Sequence, residues 1–349
     1  MKMYCLSFTD RGEKLAEKLS EEFGAYSDRC NKPLNLKDWT KKAFAEADTV
    51  VFVGACGIAV RSIAPYVVSK VTDPAVIVID ECGEFVISLL SGHLGGANDM
   101  ARRIAAFLGA VPVITTATDR NDVFAVDEWS KRQNAIVLEP PKIKLVSSKI
   151  LDGKDIKVRT GFDVKGDLPD HIVLVDQNPD AASAAPADGA CAGDFDDADI
   201  EFDVVETSAK PLHIVPGIVH LGIGCRKGTP EVAIEQAFAS FKQETGLIER
   251  SVSRCASIDI KAGEQGLKEF CEFHGWGFDT YSAEELNAAE GEFEPSEFVK
   301  KTTGTDNVCE RAAVISSGGK LITRKFAHDG VTFAAALEPY FPDWRWKDE

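Results

Sequence analysis

The sequence predicts an α/β protein: an open Rossmann-like sheet domain at the N-terminus, a variable middle region, and a second, smaller α/β domain at the C-terminus. Three observations predict it. Short β-branched apolar runs alternate with apolar stripes of helical period over residues 1–120, and again from about Pro216. Glycine-rich turns stand where several of these strands pass into helices. Between the two regions, Asp176 to Asp199 is rich in Ala, Asp, Gly and Pro and carries too little apolar surface to pack, so it reads as a flexible loop or linker. At 349 residues the chain also exceeds what one core usually organises. The boundaries fall at 1–120, 121–210 and 216–349.

Met1 to Phe8 reads as a first strand, lacking the apolar core and cleavage site of a secretory leader. Val50–Gly54, Ala75–Asp80 and Phe85–Leu90 are buried strands. Met100, Ile104, Phe107 and Leu108 form one face of a helix over Ala97–Leu108, and Gly109 supplies its left-handed cap. In the middle region Ala135–Leu138 and Ile172–Val175 are strand-like. Ile218–Ile223 is a strand leading into the turn Gly222–Gly228. Thr229-Pro-Glu231 then offers a capping hydroxyl, a proline at the first helical position and an acid in the first turn. Ser282-Ala-Glu-Glu285 is a capping box, and His328-Asp-Gly330 is a hairpin turn. His274 sits on an apolar helical stripe and reads as core; His213 and His220 carry no diagnostic pattern.

No apolar run is long enough for a transmembrane helix. Nine cysteines without a Cys-x-x-Cys pair point to reduced thiols in a cytoplasmic protein and to no structural zinc site. A net charge of −17 excludes nucleic acid and anionic membrane as partners. It also means that any site for a polyanion must be locally basic or rich in free N–H groups.

Four segments carry chemistry. Ser91-Gly-His-Leu-Gly-Gly-Ala-Asn-Asp99 lies between a strand and a helix, the junction where open α/β sheets bind ligands. Gly92, Gly95 and Gly96 admit close backbone approach, the helix start offers N–H groups, and His93 titrates near neutrality. The bland alternative is a tight turn with a hydrogen-bonded histidine, and an Asp99–Arg103 surface pair worth about 0.3–0.5 kcal/mol. Gly54-Ala-Cys-Gly-Ile-Ala-Val-Arg61 follows a second strand; Arg61 either forks onto a carboxylate or is a solvated helix residue. Cys56 reads as packing, since nothing nearby activates it. In Gly222-Ile-Gly-Cys-Arg-Lys-Gly228, Arg226 and Lys227 stand in a glycine turn at a helix start, an anion-binding arrangement. The Gly-x-Gly-x-x-x-Gly spacing and the late acid Asp259 fit a dinucleotide site poorly. In Lys300-Lys-Thr-Thr-Gly304, followed by Glu310 and the turn Ser316–Lys320, the hydroxyls, glycines and lysines either hold further carboxylates or belong to surface turns.

Residues Gly57–Pro65, Thr72–Asp80 and above all Phe85-Val-Ile-Ser-Leu-Leu-Ser-Gly-His-Leu-Gly-Gly-Ala-Asn98 resemble the cobalamin-biosynthesis protein G family, the cobalt-precorrin-5A hydrolases. Val219 to Pro339, with Gly222-Ile-Gly-Cys-Arg-Lys-Gly-Thr229 as hallmark, resembles the family's C-terminal domain, which also occurs as a separate small protein. The resemblance covers a little over half the chain. It implies opening of a δ-lactone on a cobalt-corrinoid of anaerobic vitamin B12 synthesis, with loss of acetaldehyde to give cobalt-precorrin-5B. It implies no cofactor and no protein metal site, because cobalt arrives in the substrate, and neighbouring pathway enzymes as further partners. Placed on this chain, His93 and Asp99 are the catalytic pair, with the N–H groups of Gly95–Asn98 as oxyanion donors. Arg61, Gly92, Gly95, Gly96, Asn98, Arg226, Lys227, Gly228, Thr229, Lys301 and Thr302 are the substrate-binding set. Two other classes remain: a non-catalytic corrinoid-handover module using the same loops, and a nucleotide-dependent enzyme using Gly222–Gly228.

Overall fold

The β-branched runs of the first part form a six-stranded sheet in the computed structural model, which describes residues 1–31, 34–69, 72–175 and 197–347. Its strands are β1 (Met3–Ser7), β2 (Tyr26–Arg29), β3 (Thr49–Val53), β4 (Ala75–Ile79), β5 (Phe85–Leu90) and β6 (Val111–Val113), in the order β2-β1-β3-β4-β5-β6. The period-two alternation of side chains in β3 sends Val51 and Val53 to one face and Val50 and Phe52 to the other. Helices α1 (Asp10–Phe23) and α4 (Ala97–Leu108) cover the first face with Ala16, Leu19, Met100 and Ile104. Helices α2 (Leu36–Glu46) and α3 (Cys56–Ile63) cover the second with Trp39, Ala43, Ala59 and Ile63. This is the doubly wound layering that the alternating pattern predicts.

One pairing breaks the parallel rule. β5 runs antiparallel to β4, with Val86 opposite Ile79 and Leu90 opposite Val76. The connection Asp80–Glu84 is a tight turn: the Asp80 carboxylate accepts the N–H groups of Cys82 (2.9 Å) and Phe85 (2.6 Å), and Gly83 takes φ 71°. β5 therefore ends beside the start of β4, whereas Gly54, after β3, bonds to Ile79 at the other end. The Gly54 and Ser91 loops lie at opposite edges of the sheet.

The chain divides into two units, Met1–Glu128 and Trp129–Glu349. Helix α5 (Ala117–Asn121) closes the first unit, and α6 (Val126–Arg132) crosses the boundary. The second unit holds two sheets. The middle region builds one from β7 (Ala135–Val137), α7 (Ile143–Leu151), β8 (Ile156–Thr160), β9 (Ile172–Leu174), β10 (Ile200–Phe202) and β11 (Leu212–Pro216), ordered β7-β11-β10-β8-β9. The Ala/Asp/Gly/Pro-rich loop read at Asp176–Asp199 lies, apart from its last three residues, outside the described residues.

The last sheet comprises β12 (Val219–Cys225), β13 (Val252–Ile258), β14 (Gly277–Tyr281), β15 (Lys320–His328) and β16 (Val331–Leu337), ordered β14-β13-β12-β16-β15. Its helices are α8 (Glu231–Thr245), α9 (Gln265–His274), α10 (Ala283–Asn287), α11 (Glu297–Thr303) and α12 (Cys309–Ser317). Phe238, Phe241, Phe270 and Phe333 fill one face. On the other, α12 presses so close to β12 that a Cβ on Gly222 would lie 1.7 Å from the Cys309 carbonyl oxygen. The capping box at Ser282 and the hairpin at Asp329-Gly330 form as read. The His274 side chain is buried as read, stacked on Trp276 and paired with Glu235 and Glu249. The cap at Thr229 does not form: Pro230 is the N-cap, and the Thr229 hydroxyl donates to the Arg226 carbonyl (2.9 Å).

Candidate functional site

The loop from β5 to α4 folds back on itself. Ser91 takes a left-handed φ of 58°, rare outside glycine, and Gly96 takes 81° as the N-cap of α4. The loop's own carbonyls consume its amides: Gly96 N–H donates to His93 O (2.8 Å), Ala97 to Ser91 O (3.1 Å) and Asn98 to Gly92 O (2.9 Å). Three of the four N–H groups expected as oxyanion donors are thus already paired. The glycines have packing reasons as well. A Cβ on Gly95 would stand 2.3 Å from the Ser91 Cβ, and one on Gly92 would stand 2.8 Å from the Asn98 side chain.

What the loop presents is His93, clamped by carboxylates. Its Nδ1 lies 3.1 Å from Asp127 Oδ2, and its Nε2 lies 2.9 Å from Asp119 Oδ2 and 3.8 Å from Glu128 Oε1. The Thr118 hydroxyl is 3.2 Å from Nε2. Asp119 is held in turn by Arg102 on one oxygen, and by Thr116 and Asn98 (3.0 Å) on the other. Asn98 accepts a bond from the Ser88 hydroxyl (2.7 Å), which fixes its amide. Burial alone would lower the His93 pKa, but the bonds to Asp119 and Asp127 outweigh it and push the value up to about 10. Burial opposes ionisation of Asp119, yet its bonds to His93, Thr116 and Arg102 hold it well below the ordinary carboxylate range. Burial, seconded by the neighbouring acids, raises Glu128. At neutral pH His93 is an acid and hydrogen-bond donor, not the free base that an isolated histidine would supply.

Asp99 is not part of this cluster. It is exposed on the first turn of α4, and the acids that reach His93 are Asp119, Asp127 and Glu128. Arg61 is likewise apart: it lies on α3 in the crossover that starts at the opposite sheet edge, its guanidinium over Gly57. Where the resemblance implied no metal site, Nε2 of His93 and one oxygen each of Asp119 and Glu128 lie within 4.8 Å of one another, a metal-like donor set.

The C-terminal sheet carries a different kind of site. A cavity of about 700 Å³ opens at the carboxyl ends of β12 and β13, the edge where open α/β sheets bind ligands. Ile258, Ile260, Phe298 and Val299 give it apolar walls, while Arg226, Lys227, Lys261 and Lys325 give it positive charge. Lys261 is committed to Glu264 (2.9 Å). Arg226, Lys227 and Lys325 form no ion pair among the described residues, so they face the cavity with their charge unspent. Of the other expected contacts, Thr302 lines the cavity, its hydroxyl donating to Phe298 O (3.0 Å); Gly228, Thr229 and Lys301 do not line it. The Gly228 N–H, expected to bind a substrate anion, is already taken by the Glu264 carboxylate (2.8 Å). Glu310, which follows the lysine–threonine segment, is fully buried and accepts from Asn307 (2.6 Å) and from the N–H groups of Glu294 and Lys325.

Sequence reasoning missed Asp119, Asp127, Glu128, Lys261 and Lys325. One signal for the first group was present: Asp127-Glu128 interrupts the apolar run Val123–Trp129, an unusual place for two charges unless they are paired. No helix among the described residues is long and apolar enough to cross a membrane.

Residues 38–119 match the family model described as Cobalamin synthesis G N-terminal, and residues 219–336 match Cobalamin synthesis G C-terminus. The chain is 36% identical over 302 residues to the cobalt-precorrin-5A hydrolase of Salmonella typhimurium, spanning 85% of this chain and 84% of that one. It is 34% identical over 300 residues to the cobalt-precorrin-5A hydrolase of Priestia megaterium, spanning 83% and 79%. A probable cobalt-precorrin-5A hydrolase of Methanocaldococcus jannaschii is 30% identical over 348 residues, spanning 95% and 97%. With both halves matched in order and relatives aligned over most of its length, the chain belongs to the cobalamin synthesis G family.

Proposed function

We propose that the chain is a cobalt-precorrin-5A hydrolase of anaerobic cobalamin synthesis, opening the substrate's δ-lactone and releasing acetaldehyde to give cobalt-precorrin-5B. The observation that carries this reading is the 36% identity to a hydrolase of that name over 85% of the chain. The geometry agrees with what such a substrate needs. A corrinoid offers a broad apolar face rimmed by carboxylates, and the C-terminal cavity pairs apolar walls with the unpaired cations Arg226, Lys227 and Lys325. Its volume of about 700 Å³ is in the range that ligand pockets of this kind occupy. That local excess of positive charge answers the difficulty posed by a net charge of −17.

The His93 cluster is the proposed reacting centre. Opening a lactone requires an electrophile at the carbonyl oxygen as water adds, and Nε2 of His93, kept protonated by Asp119 and Asp127, supplies one. Cobalt is carried by the substrate. The protein works in the cytoplasm on this small molecule, with neighbouring enzymes of the pathway as its partners and neither nucleic acid nor membrane among them. An anaerobic assay of the purified chain with cobalt-precorrin-5A tests the reading. Acetaldehyde should appear together with a corrinoid whose mass has changed by the gain of one water and the loss of one acetaldehyde. A tight stoichiometric complex without product would instead make the chain a corrinoid carrier.

A further inference from the structure

We propose that His93, Asp119 and Glu128 hold a divalent metal ion of the zinc and manganese class, bound by Nε2 of the histidine and one oxygen of each carboxylate. The inference deepens the reading of this loop as the reacting centre: the cation takes the place of the Nε2 proton as the electrophile. Its donors come from three separate segments, the β5–α4 loop, α5 and α6, yet lie within 4.8 Å of one another.

The surroundings are those of a metal ligand set. Metal-bound imidazoles characteristically give their second nitrogen to a carboxylate that sets ring and tautomer, and Asp127 stands at 3.1 Å from Nδ1 to do this. Asp119 is itself oriented by Arg102, Thr116 and Asn98. Glu128 is the independent observation. Its side chain is only 17% exposed, it receives no hydrogen bond among the described residues, and its nearest positive charge is His93 Nε2 at 3.8 Å. A carboxylate so placed is costly unless something pairs with it. A dication between Nε2, Asp119 and Glu128 would give the Glu128 carboxylate the partner it lacks.

The donor types decide the metal class. One imidazole nitrogen with two carboxylate oxygens suits zinc or manganese better than calcium or magnesium, which favour all-oxygen shells. On binding, the Nε2 proton leaves to solvent and the nitrogen lone pair goes to the metal, while the Nδ1 proton stays on the ring and is donated to Asp127. Three protein ligands leave a position open for water or a substrate oxygen.

The test uses the full chain, stripped with chelator and titrated with Mn²⁺ while free Mn²⁺ is followed by electron paramagnetic resonance. One ion per chain should bind, Zn²⁺ should displace it, and the thermal midpoint should rise with Mn²⁺. Glu128→Gln and His93→Ala should abolish saturable binding, and Asp127→Asn, which frees the ring, should weaken it about 10–100-fold. Glu128→Gln should melt no earlier than wild type in metal-free buffer, so its loss of binding is not loss of fold. Absence of saturable binding by wild type, or binding unchanged in Glu128→Gln, would overturn the proposal. Acetaldehyde release by chelated protein that binds no Mn²⁺ would sink the metal site and leave the hydrolase standing. Mn²⁺ binding without acetaldehyde release would do the reverse.

Discussion

The two glycine-rich turns that dominate the sequence, Ser91–Asn98 and Gly222–Gly228, look alike as strings and differ as structures. Each follows a strand and opens a helix, and each reads as an anion cradle. The first follows a strand that runs against its neighbour, spends its amides on its own carbonyls and surrounds its one histidine with acids. The second opens at the carboxyl edge of β12 and β13 into a cavity with unpaired cations. Even there the free amide is not the anion site, because Glu264 already caps Gly228. A glycine turn therefore says that the backbone must come close to something. Strand sense and neighbouring charges say what that something is, and here they separate a histidine ringed by acids from a cavity lined with cations.

Substitutions at the two turns should break along this line. The largest expected effect is His93→Ala, with acetaldehyde release down about 10²–10⁴-fold and corrinoid binding kept, measured by turnover and by equilibrium titration. Next is Gly222→Ala, whose Cβ would meet backbone at 1.7 Å; it should cost about 3 kcal/mol or more in chemical unfolding. Gly228→Ala meets no atom within 4 Å and pays only for its φ of 74°, about 1–2 kcal/mol. Arg226→Ala should leave turnover at saturation near wild type and weaken corrinoid binding about tenfold, an effect reduced by salt. Lys301→Ala, outside the cavity, should change neither measurably.

Stability against pH sharpens the same contrast. The folded pKa of His93 is raised to about 10 by its carboxylates, and His213, buried with Glu139 and Glu201, is raised to about 9. A raised histidine contributes stability that is complete below its unfolded value of about 6.5 and is lost as pH rises through the folded value. Metal-free protein should therefore weaken between about pH 7 and 10; His93→Gln should reduce the slope across that whole range and remove the loss above about pH 9, while His213→Gln should reduce it only below about pH 9. Urea midpoints measured across the range check this.

Much of the fold was legible because it depends on local pattern. The uninterrupted β-branched runs became β3, β4 and β5, the Met100–Ile104 stripe became the buried face of α4, and Gly109 took the left-handed cap with φ 69°. The reversal of β5 was written in the chain too: the five residues Asp80–Glu84 are too few for a parallel crossover. What local pattern could not supply was the cluster around His93. Asp119, Asp127 and Glu128 arrive from 26 to 35 residues downstream on short helices, and only the tertiary fold brings them to the ring. Asp99, the acid nearest in sequence, points to solvent because its position on α4 is on the outer face.

A division of labour, with chemistry at the His93 loop and carboxylate holding at the Arg226 turn, should be visible in kinetics. Steady-state kinetics of acetaldehyde release from cobalt-precorrin-5A, for wild type, His93→Ala and Arg226→Ala side by side, test it most directly. His93→Ala should lose kcat at nearly constant KM, while Arg226→Ala should raise KM at nearly constant kcat. Full turnover by His93→Ala, or a fall in kcat alone for Arg226→Ala, would contradict it.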